Sequence, residues 1–147
     1  MEKKTIKIYT DGATKGYNGK LGTVSRVGLG VYIPELNFGD GKEVNGISNN
    51  EAEFKALIWG MELAIVKGIK KTIFYLDSKI VVNRANGRRP TKAKFKNERM
   101  DAFQDEVFEL KQEFNFIEFY HIPREQNETA DYYSKLALNK IDLKELK

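Results

Sequence analysis

TIFYL, at residues 72–76, is short and almost wholly apolar. Such a run is typical of a central strand that is buried on both faces of a sheet. A helix that Gly68 ends comes before it, and a second helix at residues 78–86, which Gly87 ends, comes after it. A strand enclosed by two helices predicts a sheet with helices packed on its faces.

The chain on either side of this strand predicts the rest of one domain. Alternating residues at 5–10 predict a first strand that ends at Asp11-Gly12, and a glycine-rich stretch predicts a loop over residues 12–26. The other predicted elements are strands at 27–33 and 38–47 (the latter interrupted by Gly39-Asp40-Gly41), helices at 48–67 and 97–113, a strand at 116–121 and a helix from Asn127 to about Leu138.

This order of elements, three strands and then helices alternating with strands, predicts an α/β fold with a five-stranded mixed sheet. We expect one domain over residues 1–147, with a lysine-rich tail at about 139–147 that frays.

The composition excludes several classes of site. The chain of 147 residues contains no cysteine, which excludes disulfides, zinc–thiolate centres and a cysteine nucleophile and fits a reducing compartment. Its most apolar stretch, residues 56–61, is too short to span a bilayer, and its first residues lack the apolar core of a signal peptide. We therefore expect a cytoplasmic monomer with no membrane partner. The net charge of +4 permits a polyanionic partner.

Two acids follow strands, and each has an ordinary structural interpretation. Asp11 comes before a glycine, where an aspartate commonly serves the turn. Asp77 directly follows TIFYL, where it or Ser78 could cap the next helix. However, ligands of open α/β sheets collect beyond the carboxyl ends of the parallel strands, which is where Asp77 is predicted to lie.

Two more acids lie near helix starts, where they would favour the helix dipole. Glu53 shares a helix face with apolar or small residues at i+3, i+4 and i+7, while Glu51, Lys55 and Glu62 are expected on the exposed side. A carboxylate on a packed face costs free energy unless a cation meets it. Asp131 lies one turn into the last helix, and alone it would indicate only dipole complementarity.

Taken together, the four acids could meet at one edge of the sheet. Clustered carboxylates repel one another unless cations neutralise them. Oxygen ligands, in a chain with no cysteine and one histidine, suit Mg²⁺ or Mn²⁺ better than zinc. A pair of such ions can activate a water and stabilise the leaving oxygen of a phosphodiester.

Four segments of the sequence resemble the motifs of the type 1 ribonucleases H, in the family's order and spacing over nearly the whole chain. These segments are YTDGA at 9–13, SNNEAE at 48–53, LDS at 76–78 and HIPREQNETAD at 121–131. The resemblance implies a five-stranded mixed sheet whose first three strands are antiparallel, and an endonuclease that cuts the RNA strand of RNA–DNA hybrids. It also implies products with 5′-phosphate and 3′-hydroxyl ends, and two Mg²⁺ ions, with Mn²⁺ as a substitute.

The resemblance further implies roles for individual residues. The family's metal ligands fall on Asp11, Glu53, Asp77 and Asp131. Its hybrid-contacting residues fall on Ser48, Asn49 and Asn50, with the backbone at Gly12 and Ala13 and the side chain of Asn127 as further candidates. His121 lies near the family's mobile histidine, which assists turnover. It could instead simply end a strand, and Arg124 could supply the mobile cation.

A basic run between the second and third helices is the predicted phosphate contact. It contains Arg88, Arg89, Lys92, Lys94, Lys96 and Arg99, with Phe95 among them. The alternative is a solvated charge run. The long basic handle helix of some type 1 ribonucleases H has no room between Asn86 and Asn97, so the chain resembles a short form of the family. Asn18 only loosely matches a loop asparagine that touches RNA.

Three other functions are compatible with parts of the pattern. One is a nucleic-acid-binding module of the same fold that has lost catalysis, which the presence of all four acids disfavours. Another is a different nuclease of the superfamily, such as an exonuclease or a junction resolvase. The third, a dinucleotide-binding protein, would need a glycine-rich turn between strand and helix, whereas Gly28 and Gly30 fall inside a predicted strand.

Overall fold

The computed structural model describes residues 4–15, 25–46, 48–92 and 97–145 and contains a five-stranded mixed sheet in the order β3-β2-β1-β4-β5. The strands are β1 (Ile6–Lys15), β2 (Ser25–Ile33), β3 (Phe38–Gly46), β4 (Lys71–Leu76) and β5 (Phe116–His121). The helices are α1 (Asn49–Val66), α2 (Lys79–Ala85), α3 (Glu98–Lys111) and α4 (Glu128–Glu145). Strands β1 to β3 are antiparallel, and β4 and β5 run parallel to β1, so the predicted fold class is confirmed.

The helix starts follow the predicted capping residues. The hydroxyl of Ser48 accepts the backbone N–H of Glu51, and that of Ser78 accepts the N–H of Val81. Gly68 and Gly87 adopt positive φ angles of 76° and 94° just beyond α1 and α2, as glycines that end helices commonly do. Local chemistry at these positions therefore sets the lengths of α1 and α2.

Strand β1 is longer than its alternation predicted. It continues through Asp11 and Gly12 to Lys15, so the prediction of a strand end at Asp11 and a loop from residue 12 was wrong for residues 12–15. The reason is that β1 pairs with β4 only as far as Tyr9 but with β2 as far as Lys15. Asp11 thus lies just past the parallel pairing while its backbone stays in the antiparallel sheet.

Helix α4 packs directly on the backbone of β2 and β3. A Cβ atom on Gly30 would collide with the carbonyl oxygen of Ala130, and one on Gly28 with that of Ser134. Strand β3 also runs unbroken through Gly39, Asp40 and Gly41, so the predicted interruption was wrong. The absence of side chains on this face lets α4 approach the sheet closely.

The opposite face of the sheet carries the main core. Ile8 and Phe74 from the strands and Phe54, Leu57 and Met61 from α1 are fully buried there. Helix α3 packs against α1 on this side. The sheet is therefore covered on one face by α1 with α3 and on the other by α4.

Helix α4 continues to Glu145, so the predicted end at Leu138 was too early. Residues 139–145 contain neither glycine nor proline, and nothing in that sequence ends a helix. In the parts of the chain that the structure describes, no helix has the length and apolar character that crossing a membrane requires.

Candidate active site

Three acids meet at the edge of the sheet where β1 and β4 diverge. Asp11, Glu53 and Asp77 each contribute a carboxylate oxygen, and these oxygens lie within 4.8 Å of one another. Tyr9 is the register partner of Tyr75, so two residues further along each strand Asp11 and Asp77 come opposite each other. The parallel register of two strands thus brings together acids that are 66 residues apart in the sequence.

Glu53 reaches this edge from α1, just past the first turn of the helix. A Cβ on Gly12 would collide with the carbonyl group of Ala52, so only a glycine allows α1 to come this close to β1. The backbone N–H of Gly12 also donates to the Glu53 carboxylate. Gly12 therefore positions Glu53 beside Asp11.

The fourth acid, Asp131, joins the cluster from α4. It accepts a hydrogen bond from the Asp11 carboxyl, and its Oδ2 lies 2.9 Å from the Nζ atom of Lys135. The side chain of Asp131 is 21% exposed, so it is the more accessible partner of the buried Asp11. Three of the four acids predicted to meet thus form one cluster, and Asp131 lies beside it through Asp11.

Burial makes this group of acids hard to ionise together. Burial, followed by repulsion from Glu53, raises the pKa of Asp11 from 3.8 to about 11. Burial also raises the pKa of Glu53 to about 7, although a hydrogen bond from Asp11 opposes that shift. At Asp131 burial is outweighed by hydrogen bonds from Asp11 and Lys135, which leave its pKa lowered. Joint ionisation of these buried acids is therefore unfavourable unless a cation neutralises them.

The donor set fits hard divalent cations. All the ligand candidates are carboxylate oxygens, which Mg²⁺ and Mn²⁺ prefer. Oε2 of Glu53 is buried and has no hydrogen-bond partner among the residues that the structure describes. A buried carboxylate oxygen without a donor is costly, and a cation between the acids would satisfy it.

Asp11, Glu53 and Asp77 line a pocket of about 500 Å³ beside the start of α1. Gly12, Ala13 and Asn49 line it, as the substrate-binding prediction expects, together with Thr14. The hydroxyl of Thr14 donates to Oδ1 of Asn49 at 2.6 Å, a contact the sequence did not indicate. Asn50 is exposed and Ser48 half-buried at the same helix start, and Asn18 falls outside the described residues.

Two residues predicted near the site differ in their placement. Arg124 lines the acid pocket. Its positive charge favours the ionised forms of Glu53 and Asp131, although other groups affect both pKa values more strongly. His121 ends β5 opposite Leu76, is exposed and is not among the pocket's lining residues. The geometry therefore favours Arg124 over His121 as the cation of this site.

Asn127 does not fit its predicted contact with substrate. Asn127 is only 1% exposed, so its side chain is not accessible to a duplex bound at the surface. Its Nδ2 instead donates to Oδ2 of Asp77 at 3.0 Å and to the carbonyl oxygen of Thr10 at 2.9 Å. Asn127 belongs to the framework beneath the acids.

The basic run is partly used in internal contacts. Arg89 is exposed, but it donates to Asp105 at 2.5 Å and to the buried side chain of Gln104 at 2.8 Å, so contacts at the α2–α3 junction compete with phosphate for it. Arg88 donates to Asn83 at 3.2 Å but is exposed, as is Lys92. Lys94, Phe95 and Lys96 fall outside the described residues.

Two further side chains differ from their predicted surroundings. Arg99 pairs with Glu51, and Lys55 also lies 3.6 Å from that carboxylate. Glu51 is only 2% exposed, so its predicted place on the exposed side of α1 was wrong. The cause is the packing of α3 beside α1, which the sequence periodicity of α1 alone cannot indicate.

Comparisons with known proteins agree with this geometry. A family model described as "Reverse transcriptase-like" matches residues 36–137. EbsB of Enterococcus faecalis, which is named as a candidate hydrolase, is 33% identical over 139 residues, which is 92% of this chain and 96% of EbsB.

Solved structures match over most of the chain as well. The RNase H1 of the halophilic archaeon Halobacterium salinarum is 26% identical with a TM-score of 0.75, covering 93% of this chain and 99% of that one. The LC11 RNase H1, isolated from compost and solved in complex with an RNA/DNA hybrid, is 27% identical with a TM-score of 0.77, again over 93% of this chain and 99% of that one.

Proposed function

Because the chain belongs to the reverse transcriptase-like family, and within it resembles the type 1 ribonucleases H, we propose that it is an endonuclease that hydrolyses the RNA strand of RNA–DNA hybrids. Its products would carry 5′-phosphate and 3′-hydroxyl ends. The observation that carries the proposal is that Asp11, Glu53 and Asp77 line one pocket with carboxylate oxygens within 4.8 Å of one another, while Asp131 lies beside Asp11.

Asp11, Glu53, Asp77 and Asp131 would hold two Mg²⁺ ions, or Mn²⁺ in their place. Such ions, when bound, activate a water and stabilise the leaving oxygen in phosphodiester hydrolysis. The four carboxylates supply the charge that holds the ions, and no side-chain nucleophile is required. Asp11 is hydrogen-bonded to both Glu53 and Asp131, so it is the acid that would be shared between the two ions.

The substrate would be held by groups around the same pocket. Asn49 and Asn50 at the start of α1, with the backbone of Gly12 and Ala13, are candidates for hydrogen bonds to 2′-hydroxyls of the RNA strand. Ser48 would contribute mainly by capping α1. Arg88 and Lys92 would contact phosphates of the DNA strand, which position a duplex but do not read its sequence.

Arg124 would supply the cation that assists turnover. It lies beside Glu53 and Asp131, where a guanidinium can accompany a phosphate group entering or leaving the pocket.

The proposal is tested by offering the protein a hybrid, double-stranded RNA, double-stranded DNA and single strands, with Mg²⁺ and then with Mn²⁺. Cleavage confined to the RNA of the hybrid and abolished by a chelator is expected. Cleavage from strand ends or of double-stranded DNA would indicate another nuclease, and tight hybrid binding without cleavage would indicate a catalytically silent module. Either result contradicts the proposal.

The matched variants are Asp77→Asn and Asp40→Asn. The first removes a pocket carboxylate, and the second makes the same chemical change at an exposed position of β3. Asp77→Asn should reduce kcat by about 100-fold or more, since even partners outside a metal's ligand shell are worth about 10–100-fold. Its hybrid affinity should persist or rise, because a charge facing phosphate is lost. Equal activity of the two variants would refute the site.

A further inference from the structure

We infer that Asn127 is a positioning residue that fixes the acid pocket in its metal-binding arrangement, an inference that rests on the proposed function. Asn127 precedes α4 and is 1% exposed. Its two amide hydrogens are used on two different segments, one on Oδ2 of Asp77 just after β4 and one on the carbonyl oxygen of Thr10 in β1. Thr10 immediately precedes Asp11, so one amide joins the segments that carry both strand acids.

The main chain of Asn127 extends the same connection to α4. Its carbonyl oxygen accepts the backbone N–H of Asp131 at 3.1 Å, in the first turn of the helix. Asn127 therefore contacts Asp77 directly, the residue before Asp11, and the backbone of Asp131. Three of the four acids depend on this one residue for their relative placement.

The orientation of the amide follows from its surroundings. Both groups that its Nδ2 contacts are acceptors, a carboxylate and a carbonyl, so reversing the amide would set its Oδ1 against two acceptor oxygens. In the observed orientation Oδ1 is buried without a hydrogen-bond partner in the described part of the chain. One unsatisfied acceptor is less costly than two repulsive contacts, which selects the observed arrangement.

A neutral donor suits this position better than a charged one. A lysine or arginine at this place would neutralise Asp77 and compete with a metal ion for its oxygens. An amide holds one carboxylate oxygen by hydrogen bonding and leaves the charge of Asp77 undiminished. Partners of this kind, which orient a metal ligand from outside its coordination sphere, typically affect metal affinity or activity by about 10–100-fold.

The test compares Asn127→Ala and Asn127→Ser with the control Thr72→Val. The control removes a similar buried hydrogen bond, from the Thr72 hydroxyl to the carbonyl oxygen of Ile6 at 2.8 Å, on the core face of β4. The first readout is the dissociation constant of Mn²⁺ for the full chain without nucleic acid, measured by electron paramagnetic resonance. The second is kcat and KM for hybrid cleavage.

Both Asn127 variants should weaken Mn²⁺ binding or kcat by about 10–100-fold while KM for the hybrid stays within about twofold. Thr72→Val should lower thermal stability but keep the wild-type Mn²⁺ affinity. Asn127→Ser leaves a small polar group at the site and adds no charge, so it decides the outcome if the alanine variant fails to fold.

Wild-type Mn²⁺ affinity and kcat in a folded Asn127 variant, or an equal loss in Thr72→Val, would overturn the inference. If the wild-type protein cleaves no hybrid, the proposed function fails, but the Mn²⁺ affinities still decide the role of Asn127.

Discussion

Folding shifts the pKa of Asp11 further than that of Glu53, its neighbour in the site. Asp11 is 4% exposed and contacts two other acids, and burial is the main cause of its raised pKa. A carboxyl whose pKa is higher in the folded protein than in the unfolded chain makes folding less favourable as the pH rises between the two values. The metal-free protein should therefore lose stability as the pH rises above about 4, and a divalent cation should restore it.

Replacing Asp11 by Asn should remove that loss. The amide is uncharged in both states, so in a chelator Asp11→Asn should exceed the wild type in free energy of unfolding by about 1–3 kcal/mol at pH 7 but not at pH 4. Thermal or denaturant unfolding at a series of pH values measures this difference. A gap that stays constant with pH, or that excess Mg²⁺ does not reduce, would contradict the explanation.

Arg124 and His121 should differ in how much each contributes to turnover. Arg124→Ala should lower kcat by about tenfold or more, because a cation beside the reacting phosphate is lost, whereas His121→Ala should remain within about twofold. Steady-state cleavage of one hybrid by the two variants distinguishes them. A larger loss in His121→Ala would transfer the role to the histidine.

At the scale of elements, the close packing of α4 on the sheet gives the next prediction. Gly30→Ala should destabilise the protein by about 1–3 kcal/mol, because its Cβ would meet the main chain of Ala130, which cannot move without displacing Asp131. Gly39→Ala is the matched control, since its Cβ would meet only the ring of Tyr133, which can rotate. Denaturant unfolding measures both, and equal costs would contradict this view of the contact.

Most elements could be predicted from local chemistry, because Ser48, Ser78, Gly68 and Gly87 determine where α1 and α2 begin and end. The extension of β1 to Lys15 could not, since it depends on pairing with β2 and not on alternation. The acids of the site could be placed because they follow predicted strands or open predicted helices and match a family pattern.

The framework around the acids was not predictable in the same way. An asparagine before a helix is compatible with capping, so nothing in the sequence distinguishes Asn127 as a buried donor to Asp77. Gln104, which bonds to the main chain of Arg84 and Arg88 and to the Arg89 side chain, carries no signal apart from its place on α3. Both roles depend on how closely elements far apart in the sequence approach one another, which the sequence alone does not indicate.

At the scale of the whole molecule, the net charge is +4, but the cationic side chains are not all equally free to contact a polyanion. Arg89 and Lys92 are both exposed on the same segment, but the Arg89 guanidinium is held by Asp105 and Gln104. Hybrid affinity should therefore depend on salt through only part of the basic run.

Lys92→Ala should weaken hybrid binding for all sequences alike and reduce the slope of log affinity against log salt by about 1. Arg89→Ala should instead lower the unfolding temperature and leave that slope nearly unchanged. Binding of a fluorescent hybrid over a range of salt concentrations, in a chelator, measures both. A reduced slope in Arg89→Ala alone would reverse the assignment.

The contact between α4 and the glycines of β2 also has a consequence for how the protein responds to heat. Warming loosens side-chain rotamers well before it separates main-chain atoms that touch, so the distance from Asp131 to the strands should hardly change before global melting. An Arrhenius plot of cleavage should then stay straight up to the melting temperature and break only there.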